Sequence, residues 1–268
     1  MATRKTHLEL KTAMRFIREL LAEQSRYTIE RWMSAATVVD YKDRRDMATS
    51  VDIKLEERIK SGLREEFPDH GLTGEETDAV NENAEYQWLI DPIDGTKWYV
   101  AQAHLFSISV ALFRNQVPVL GAVQVPSSGQ CFHAFHGSGA YLDEVPISGS
   151  SVRELRSAIV SVDAPKTDRL ADDERAWFER KLIQLTRRAY RVRMLGAGAL
   201  SGCWVSTGAL DAFVDLTGYN KPQDVGAARI IMSEAGIKVE YITAPTGPKR
   251  LLAAPTALWE ELRGLLDD

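Results

Sequence analysis

One short segment of the chain carries the residue types that metal-assisted chemistry requires. A short apolar run, Trp88-Leu89-Ile90, predicts a buried strand that ends in two carboxylates, Asp91 and Asp94, with Pro92 between them. Carboxylate oxygens are ligands for hard divalent cations. Gly95 and Thr96 follow and predict a helix start, where backbone N–H groups bind phosphate. The segment therefore predicts a metal and a phosphate side by side, as metal-assisted hydrolysis of a phosphate ester needs. An Asp-Pro turn with a helix cap is the alternative interpretation.

Three further acidic segments make the metal interpretation stronger. Asp52 lies in the predicted first turn of a helix from Ser50 to Phe67, Glu75 follows Gly74, and Asp224 opens a small-residue helix. Taken singly, each fits a helix cap, a favourable charge at a helix N-terminus or a solvated turn. Taken together, they place several carboxylates in separate segments that a fold can bring to one place.

The four segments, in this order, resemble the inositol monophosphatase family of Mg²⁺-dependent, lithium-sensitive phosphatases. The first motif, Asp-x-x-Thr-x-x-Asp, begins at Asp46, and the second, Gly-Glu-Glu, begins at Gly74. The third, Trp-x-Ile-Asp-Pro-Ile-Asp-Gly-Thr, begins at Trp88. The fourth, Asp-Val-x-Ala-Ala-x-x-Ile-x-x-Glu-Ala-Gly, begins at Asp224. The resemblance covers roughly residues 8 to 266. It implies an α+β fold, a layered αβαβα sandwich of the inositol monophosphatase or fructose-1,6-bisphosphatase type. It also implies a homodimer.

The expected organisation is two halves that meet at the site. Residues 1–150 form an N-terminal α+β half with most metal ligands, and residues 151–268 form a C-terminal α/β half with Asp224. The composition break at Ser148-Gly149-Ser150-Ser151 separates them. Hydrophobic periodicity predicts helices over 8–32, 50–67, 170–186, 198–207, 224–235 and 255–266. Strand-like stretches lie at 87–90, 106–113, 117–125, 130–136, 139–142, 158–162, 212–216 and 251–254.

The resemblance assigns a role to each candidate site residue. It implies two or three Mg²⁺ ions, held by Glu75, Asp91, the Ile93 carbonyl, Asp94 and Asp224. Asp52 and Thr96 match the pair that orients the attacking water. A third ion is expected near Glu75. Asp46 and Thr49 are expected to support the Asp52 segment. The substrate is expected to contact Gly95, Thr96, Lys97, Asp215 and Asp224. The implied reaction is hydrolysis of an inositol monophosphate-like polyol or sugar phosphate by a metal-activated water.

Departures from the family pattern leave the substrate open. Lys97 stands where inositol phosphatases carry Thr or Ser, and it resembles the branch that acts on 3′(2′),5′-bisphosphate nucleotides. Histidinol phosphate is a further alternative. Gln223 replaces the usual Trp, Asp215 replaces a Glu that contacts substrate hydroxyls, and the loop between them is longer. A non-catalytic binding protein of the same fold is the alternative from another class.

Composition sets the remaining bounds. The 268-residue chain has 44% hydrophobic and 26% charged residues, which is ordinary for a globular protein. Its net charge of −5 argues against binding to nucleic acid polymers. Cys131 and Cys203 lie in apolar surroundings and predict buried thiols in a reducing compartment. No apolar run reaches membrane-spanning length, so we expect no membrane span. With the reducing compartment that the thiols indicate, we expect a cytoplasmic protein.

Overall fold

The structure is a computed structural model. It describes the backbone of residues 2–33, 38–43, 46–243 and 247–267, and the side chains of residues 7–33, 50–168, 170–243 and 247–267. The helices are α1 Ala2–Met33, α2 Ser50–Glu66, α3 Thr96–Val100, α4 Asp172–Arg188, α5 Gly198–Ser206, α6 Pro222–Glu234 and α7 Thr256–Asp267. Short 3-10 turns lie at Leu155–Ser157 and Thr167–Arg169.

The strands form two large sheets and one hairpin. They are β1 Val38–Asp43, β2 Asp46–Thr49, β3 Gly71–Thr73, β4 Tyr86–Asp94, β5 Ser107–Arg114, β6 Val117–Val125, β7 Gln130–Phe135, β8 Ala140–Leu142, β9 Val145–Ile147, β10 Ile159–Asp163, β11 Arg191–Arg193, β12 Ala212–Asp215, β13 Lys238–Thr243 and β14 Lys249–Ala254. The first sheet has seven strands in the order β3-β4-β5-β6-β7-β8-β9. The second has five strands in the order β11-β10-β12-β14-β13, and β1 pairs with β2 alone.

Helices and sheets stack in five layers. Helices α1 and α2 cover one face of the seven-stranded sheet through a core that includes Ile17, Leu55 and Trp88. The other face packs on α5 and α6, which also pack against the five-stranded sheet. Helices α4 and α7 close the far side, with Trp177 and Trp259 in that core. The predicted αβαβα sandwich is confirmed, and α5 and α6 form its central layer.

Most predicted elements appear within a few residues of their expected ends. The turn between β5 and β6 lies at Asn115 and Gln116, whose φ angles of 49° and 66° suit a tight hairpin. The short strands β3, β8, β9 and β11 have three residues each. Of these, β3, β9 and β11 were missed, because a three-residue strand carries almost no periodicity. Strands β1, β2 and β13 were also missed, because their charged residues interrupt the alternation of apolar and polar residues that predicts a strand.

Two further expectations concern the thiols and the membrane. Cys131 and Cys203 are buried free cysteines, as predicted. Burial raises the pKa of the Cys131 thiol to about 12, and it raises that of Cys203 well above its ordinary value.

Of the helices in the described residues, none combines the length and apolar character that a membrane crossing requires.

Candidate active site

Three carboxylates from distant parts of the chain converge at the site. Glu75, Asp91 and Asp224 each place an oxygen so that the three atoms lie within 4.8 Å of one another. Asp91 is buried, Asp224 is partly buried and Glu75 is exposed. All three line a cavity of about 240 Å³ that Ile93, Asp94, Gly95 and Thr96 also line.

An irregularity in β4 aims Asp91 and Asp94 into the same cavity. In a regular strand, residues three apart point to opposite faces. Asp91 pairs with Ser109 and Asp94 with Ser107, and the register shifts between these two pairs. Such a bulge re-aims side chains, and Pro92 suits it because proline cannot donate to the ladder.

Gly95 ends β4 in a conformation that other residues avoid. Its φ is 86°, and a Cβ atom there would lie 2.6 Å from the Leu105 carbonyl oxygen. Helix α3 begins at the next residue, Thr96. The chain therefore turns sharply from the carboxylates into a helix N-terminus, as the sequence predicted.

The segment that carries Glu75 is held by a buried ion pair. Lys60 Nζ lies 2.9 Å from Glu56 Oε1, and both side chains are almost fully buried in α2. The Glu56 carboxylate accepts the backbone N–H groups of Glu76 and Thr77, and Lys60 donates to the carbonyls of Thr77 and Asp78. Burial alone would raise the pKa of Glu56, but hydrogen bonds from Lys60 and Thr77 hold it below its ordinary value. Helix α2 thus fixes the backbone on the C-terminal side of Glu75.

Asp224 lies in the first turn of α6. Its Oδ2 accepts the Lys221 backbone N–H at 2.8 Å, and Pro222 occupies the tolerated first turn. Asp224 therefore opens the helix, as the sequence predicts, and it also belongs to the carboxylate cluster. Lys221 Nζ also lies 3.5 Å from Glu75 Oε1.

Asp94 connects β4 to the central helix layer. Its Oδ2 accepts the Leu200 backbone N–H in the first turn of α5 at 3.0 Å and the Ser107 hydroxyl at 3.1 Å. A carboxylate at a helix N-terminus is favourable, because the unpaired N–H groups and the helix dipole stabilise negative charge. Asp94 lines the cavity but is outside the close cluster of Glu75, Asp91 and Asp224.

Burial and crowding raise the pKa values of the carboxylates at the site. Burial, with the neighbouring Asp94, Glu75 and Asp224, raises the pKa of Asp91 well above its ordinary value. Burial also raises the pKa of Asp94 to about 6 and that of Asp224 to about 7. Like charges that are forced together in a dry site have this effect. A cation bound among them removes the repulsion.

The residues expected to orient water lie on two different helices, α2 and α3. Asp52 is buried in the first turn of α2, as predicted, and its charge is one of those that raise the Asp91 pKa. The Thr96 hydroxyl donates to the Ile93 carbonyl at 3.0 Å. The side chains of Asp46 and Thr49 lie outside the described residues.

Two predicted substrate residues are not in the cavity lining. Lys97 is exposed on α3, and it is not among the residues that line this cavity or the adjoining one. Asp215 is 1% exposed, and its Oδ1 accepts the Thr217 and Gly218 backbone N–H groups and the Thr217 hydroxyl. Its carboxylate therefore shapes the loop that follows β12.

Sequence reasoning missed Asp163 and Lys166, and it reached Asn220 and Lys221 only as members of the longer loop before Asp224. Asp163, at the end of β10, lines the cavity, as do Asn220 and Gly198. A second cavity of about 620 Å³ adjoins it and shares Glu75, Asn220 and Asp224, and it adds Lys166 and Lys221. Asp163 and Lys166 belong to no motif, so only the three-dimensional neighbourhood of Asp224 identifies them, whereas Asn220 and Lys221 lie in the loop where the sequence departs from the family pattern.

The donor set fits a hard divalent cation. Glu75, Asp91 and Asp224 offer oxygen ligands only, and Asp91 Oδ1 is buried without a hydrogen-bond partner among the described residues. Mg²⁺ is bound in proteins by a few carboxylates together with water and substrate phosphate. The cluster has that composition, and no nitrogen or sulfur ligand belongs to it.

Comparison with known proteins assigns the family. The model of the inositol monophosphatase family matches residues 10–266. The chain belongs to the inositol monophosphatase family. Membership implies a phosphatase, in agreement with the acidic cluster at the end of β4.

Individual relatives agree with this assignment. The chain is 31% identical over 220 residues to a fructose-1,6-bisphosphatase/inositol-1-monophosphatase of Aquifex aeolicus, covering 82% of this chain and 81% of that protein. It is 34% identical over 203 residues to inositol monophosphatase 1 of Solanum lycopersicum, covering 74% and 73%. Among solved structures, an IMPase from Thermotoga maritima superposes with a TM-score of 0.83 at 26% identity, covering 96% of this chain and 97% of that one.

Proposed function

We propose that this protein hydrolyses the phosphate monoester of a small polyol or sugar in a Mg²⁺-dependent reaction. The observation that carries the proposal is the convergence of Glu75, Asp91 and Asp224 within 4.8 Å. Their negative charge would repel a phosphate dianion in the absence of a cation. The cluster therefore suits a reaction in which cation and phosphate bind together.

Each residue has a distinct task in this proposal. Glu75, Asp91 and Asp224, with Asp94 and the Ile93 carbonyl, would hold two or three Mg²⁺ ions. When bound, Mg²⁺ neutralises phosphate oxygens, activates water and stabilises the leaving oxygen. Gly95 and Thr96 line the cavity at the start of α3, and in this proposal their N–H groups bind phosphate oxygens. Asp52 and Thr96 orient the attacking water, and the Thr96 hydroxyl turns away from the Ile93 carbonyl to do so.

The proposed site draws on two parts of the chain. We propose a division into residues 1–150 and 151–268, with the reaction at their junction. The seven-stranded sheet uses strands from Gly71–Thr73 to Val145–Ile147, and the five-stranded sheet uses strands from Ile159–Asp163 onward, which supports this division. The homodimer, lithium sensitivity and cytoplasmic location stay predictions.

A bisphosphorylated substrate is the second candidate, and one observation favours it. Lys166 and Lys221 line the larger cavity beside the carboxylate cluster, with Tyr219 and Leu170 as an apolar wall. Two ammonium groups there suit a second phosphate, as in a nucleotide 3′(2′),5′-bisphosphate. Lys97, on which the sequence argument for this branch depends, does not line that cavity.

The test is phosphate release from a panel of substrates with Mg²⁺ and with EDTA. The panel contains myo-inositol 1-phosphate, glycerol 2-phosphate, fructose 1,6-bisphosphate, adenosine 3′,5′-bisphosphate and histidinol phosphate. We expect Mg²⁺-dependent release that is greatest with a polyol or sugar monophosphate. Preference for adenosine bisphosphate would select the second candidate. Mg²⁺ binding without phosphate release from any member would select a binding protein.

A further inference from the structure

Asp163 presents a buried carboxylate oxygen that the rest of the fold does not use. The residue ends β10, lines the cavity of the carboxylate cluster and is only 7% exposed. Its Oδ2 accepts the Asn220 side-chain amide at 3.1 Å. Its Oδ1 is buried without a hydrogen-bond partner among the described residues. A buried polar atom in this state is costly unless a ligand satisfies it.

The position of Asp163 places it beside Asp224. A Cβ atom on Gly198 would lie 3.2 Å from Asp163 Oδ2 and 3.5 Å from the Asp224 carbonyl oxygen. The glycine thus allows the start of α5 to fit between Asp163 and the start of α6. Asp163 and Asp224 line the same cavity, so a group held by Asp163 would share that cavity with any ligand of Asp224.

Asp215 offers a direct comparison on the neighbouring strand. Strands β10 and β12 are parallel, and Asp163 and Asp215 are register partners at their ends. The Asp215 Oδ1 already accepts three hydrogen bonds from its own loop. Of these two adjacent carboxylates, only Asp163 lines the cavity and keeps an unsatisfied acceptor.

We propose that Asp163 binds a hydroxyl group of the leaving alcohol and so selects polyol phosphates. This inference rests on the proposed function and adds the residue that reads the alcohol. A hydroxyl donates the one hydrogen bond that Oδ1 lacks, whereas an ionised phosphate or carboxylate has no proton to donate. Asn220 holds Oδ2, which fixes the plane of the carboxylate.

The test compares two substrates that differ only in hydroxyl groups. Myo-inositol 1-phosphate and cyclohexyl phosphate share a six-membered ring and a phosphate ester, but the second has no hydroxyl to donate. We expect Asp163→Ala to lower kcat/KM for inositol 1-phosphate about ten- to a hundredfold, the range for a hydrogen bond to a charged group. For cyclohexyl phosphate the change should be less than about twofold, because no such bond is lost.

Two other variants separate this role from a structural one. Asn220→Ala should lower the preference for inositol 1-phosphate in the same direction but by less, since Asp163 stays and only its orientation is lost. Asp215→Asn should change kcat/KM for both substrates by the same factor, because it disturbs the loop rather than the hydroxyl contact. Mg²⁺ affinity, measured by calorimetry without substrate, should be the same in Asp163→Ala and wild type to within a few fold.

The outcomes distinguish the inference from the proposed function. If the wild type hydrolyses both substrates and Asp163→Ala leaves their kcat/KM ratio unchanged, the assignment of the hydroxyl contact to Asp163 is wrong, whereas the proposed phosphatase activity is retained. A selective loss with Asp215→Asn alone would move the contact to β12. If Asp163→Ala instead abolishes Mg²⁺ binding, Asp163 is a metal ligand. A wild type inert on both substrates contradicts the proposed function and the inference together.

Discussion

Asp91, near the end of β4, and Asp224, in the first turn of α6, place carboxylate oxygens within 4.8 Å of each other. One belongs to the seven-stranded sheet and the other to the helix layer between the two sheets. Their proximity therefore depends on how α6 packs across the seven-stranded sheet. Gly121 in β6 allows α6 to approach closely, because a Cβ atom at Gly121 would lie only 2.6 Å from the Ala227 carbonyl oxygen in α6. The chemistry and the packing of the central layer are coupled at this point.

The Glu56–Lys60 ion pair should stabilise the protein and hold the Glu75 segment. Lys60→Met leaves the Glu56 carboxylate buried without its cation, so we expect a loss of about 3–5 kcal/mol in the free energy of unfolding. Urea unfolding measures this loss. The matched control is Lys54→Met in the same helix, whose ion pair with Glu57 is exposed. A change of at most about 1 kcal/mol is expected there, and an equal effect of the two variants would contradict the account.

The pH dependence of stability should carry the contribution of Asp163. Burial raises its pKa to about 7, against an ordinary value of 3.8, with Asp215, Asp94 and Asp224 adding to the rise and Asn220 opposing it. The folded state therefore binds the proton more tightly than the unfolded state does. This contribution to stability is fully present below pH 3.8 and is lost as the pH rises to about 7.

Asp163→Asn removes that titration and provides the measurement. In EDTA, the free energy of unfolding of wild type relative to Asp163→Asn should fall between pH 4 and pH 7, by up to about 1.4 kcal/mol for each pH unit. Urea unfolding of both proteins across this range gives the difference directly. A difference that stays constant, or that grows with pH, would show that the folded-state pKa of Asp163 is not raised.

Specificity for a second phosphate should depend on Lys221 rather than on Lys97. Lys97 is exposed and lies outside both cavities, whereas Lys221 lines the larger one. Lys97→Ala should therefore change kcat/KM for adenosine 3′,5′-bisphosphate and for adenosine 3′-phosphate by the same factor. Lys221→Ala should lower kcat/KM for adenosine 3′,5′-bisphosphate, relative to that for adenosine 3′-phosphate, by about tenfold or more, the value of a charge-assisted hydrogen bond. The opposite pattern would restore Lys97 as the reader of the second phosphate.

The turn at Gly95 should tolerate no side chain. Gly95→Ala requires a positive φ of 86° and a contact with the Leu105 carbonyl oxygen that cannot be relieved by a rotamer change. We expect a lower melting temperature and a loss of phosphate release. Gly129→Ala is the control, since its φ is also positive but nothing lies near its Cβ position. Equal effects of the two variants would mean that backbone strain, and not the close approach, decides the outcome.

The carboxylate cluster was predictable from sequence because its residues lie in motifs. Asp91 and Asp94 follow an apolar strand, and Asp224 precedes a regular helix, so local patterns fix both. The bulge that turns Asp91 and Asp94 to one side was not predictable, since it depends on pairing with β5. Asp163 was missed for a similar reason: a single Asp after a strand carries no signal until Asn220 and Gly198 are placed beside it. Lys97 and Asp215 were chosen by analogy, and neither lines the two cavities at the site.

Calorimetric titration of Mg²⁺ tests most directly whether Glu75, Asp91 and Asp224 form one metal site. Wild type should bind Mg²⁺, and Asp224→Asn should weaken the affinity by more than about tenfold, or 1.4 kcal/mol, while circular dichroism shows a retained fold. Asp143→Asn, the same change at a hairpin remote from the cavity, should bind as wild type does. If Asp224→Asn and wild type bind Mg²⁺ equally well, the carboxylates of β4 and α6 do not share a metal, and the central claim is wrong.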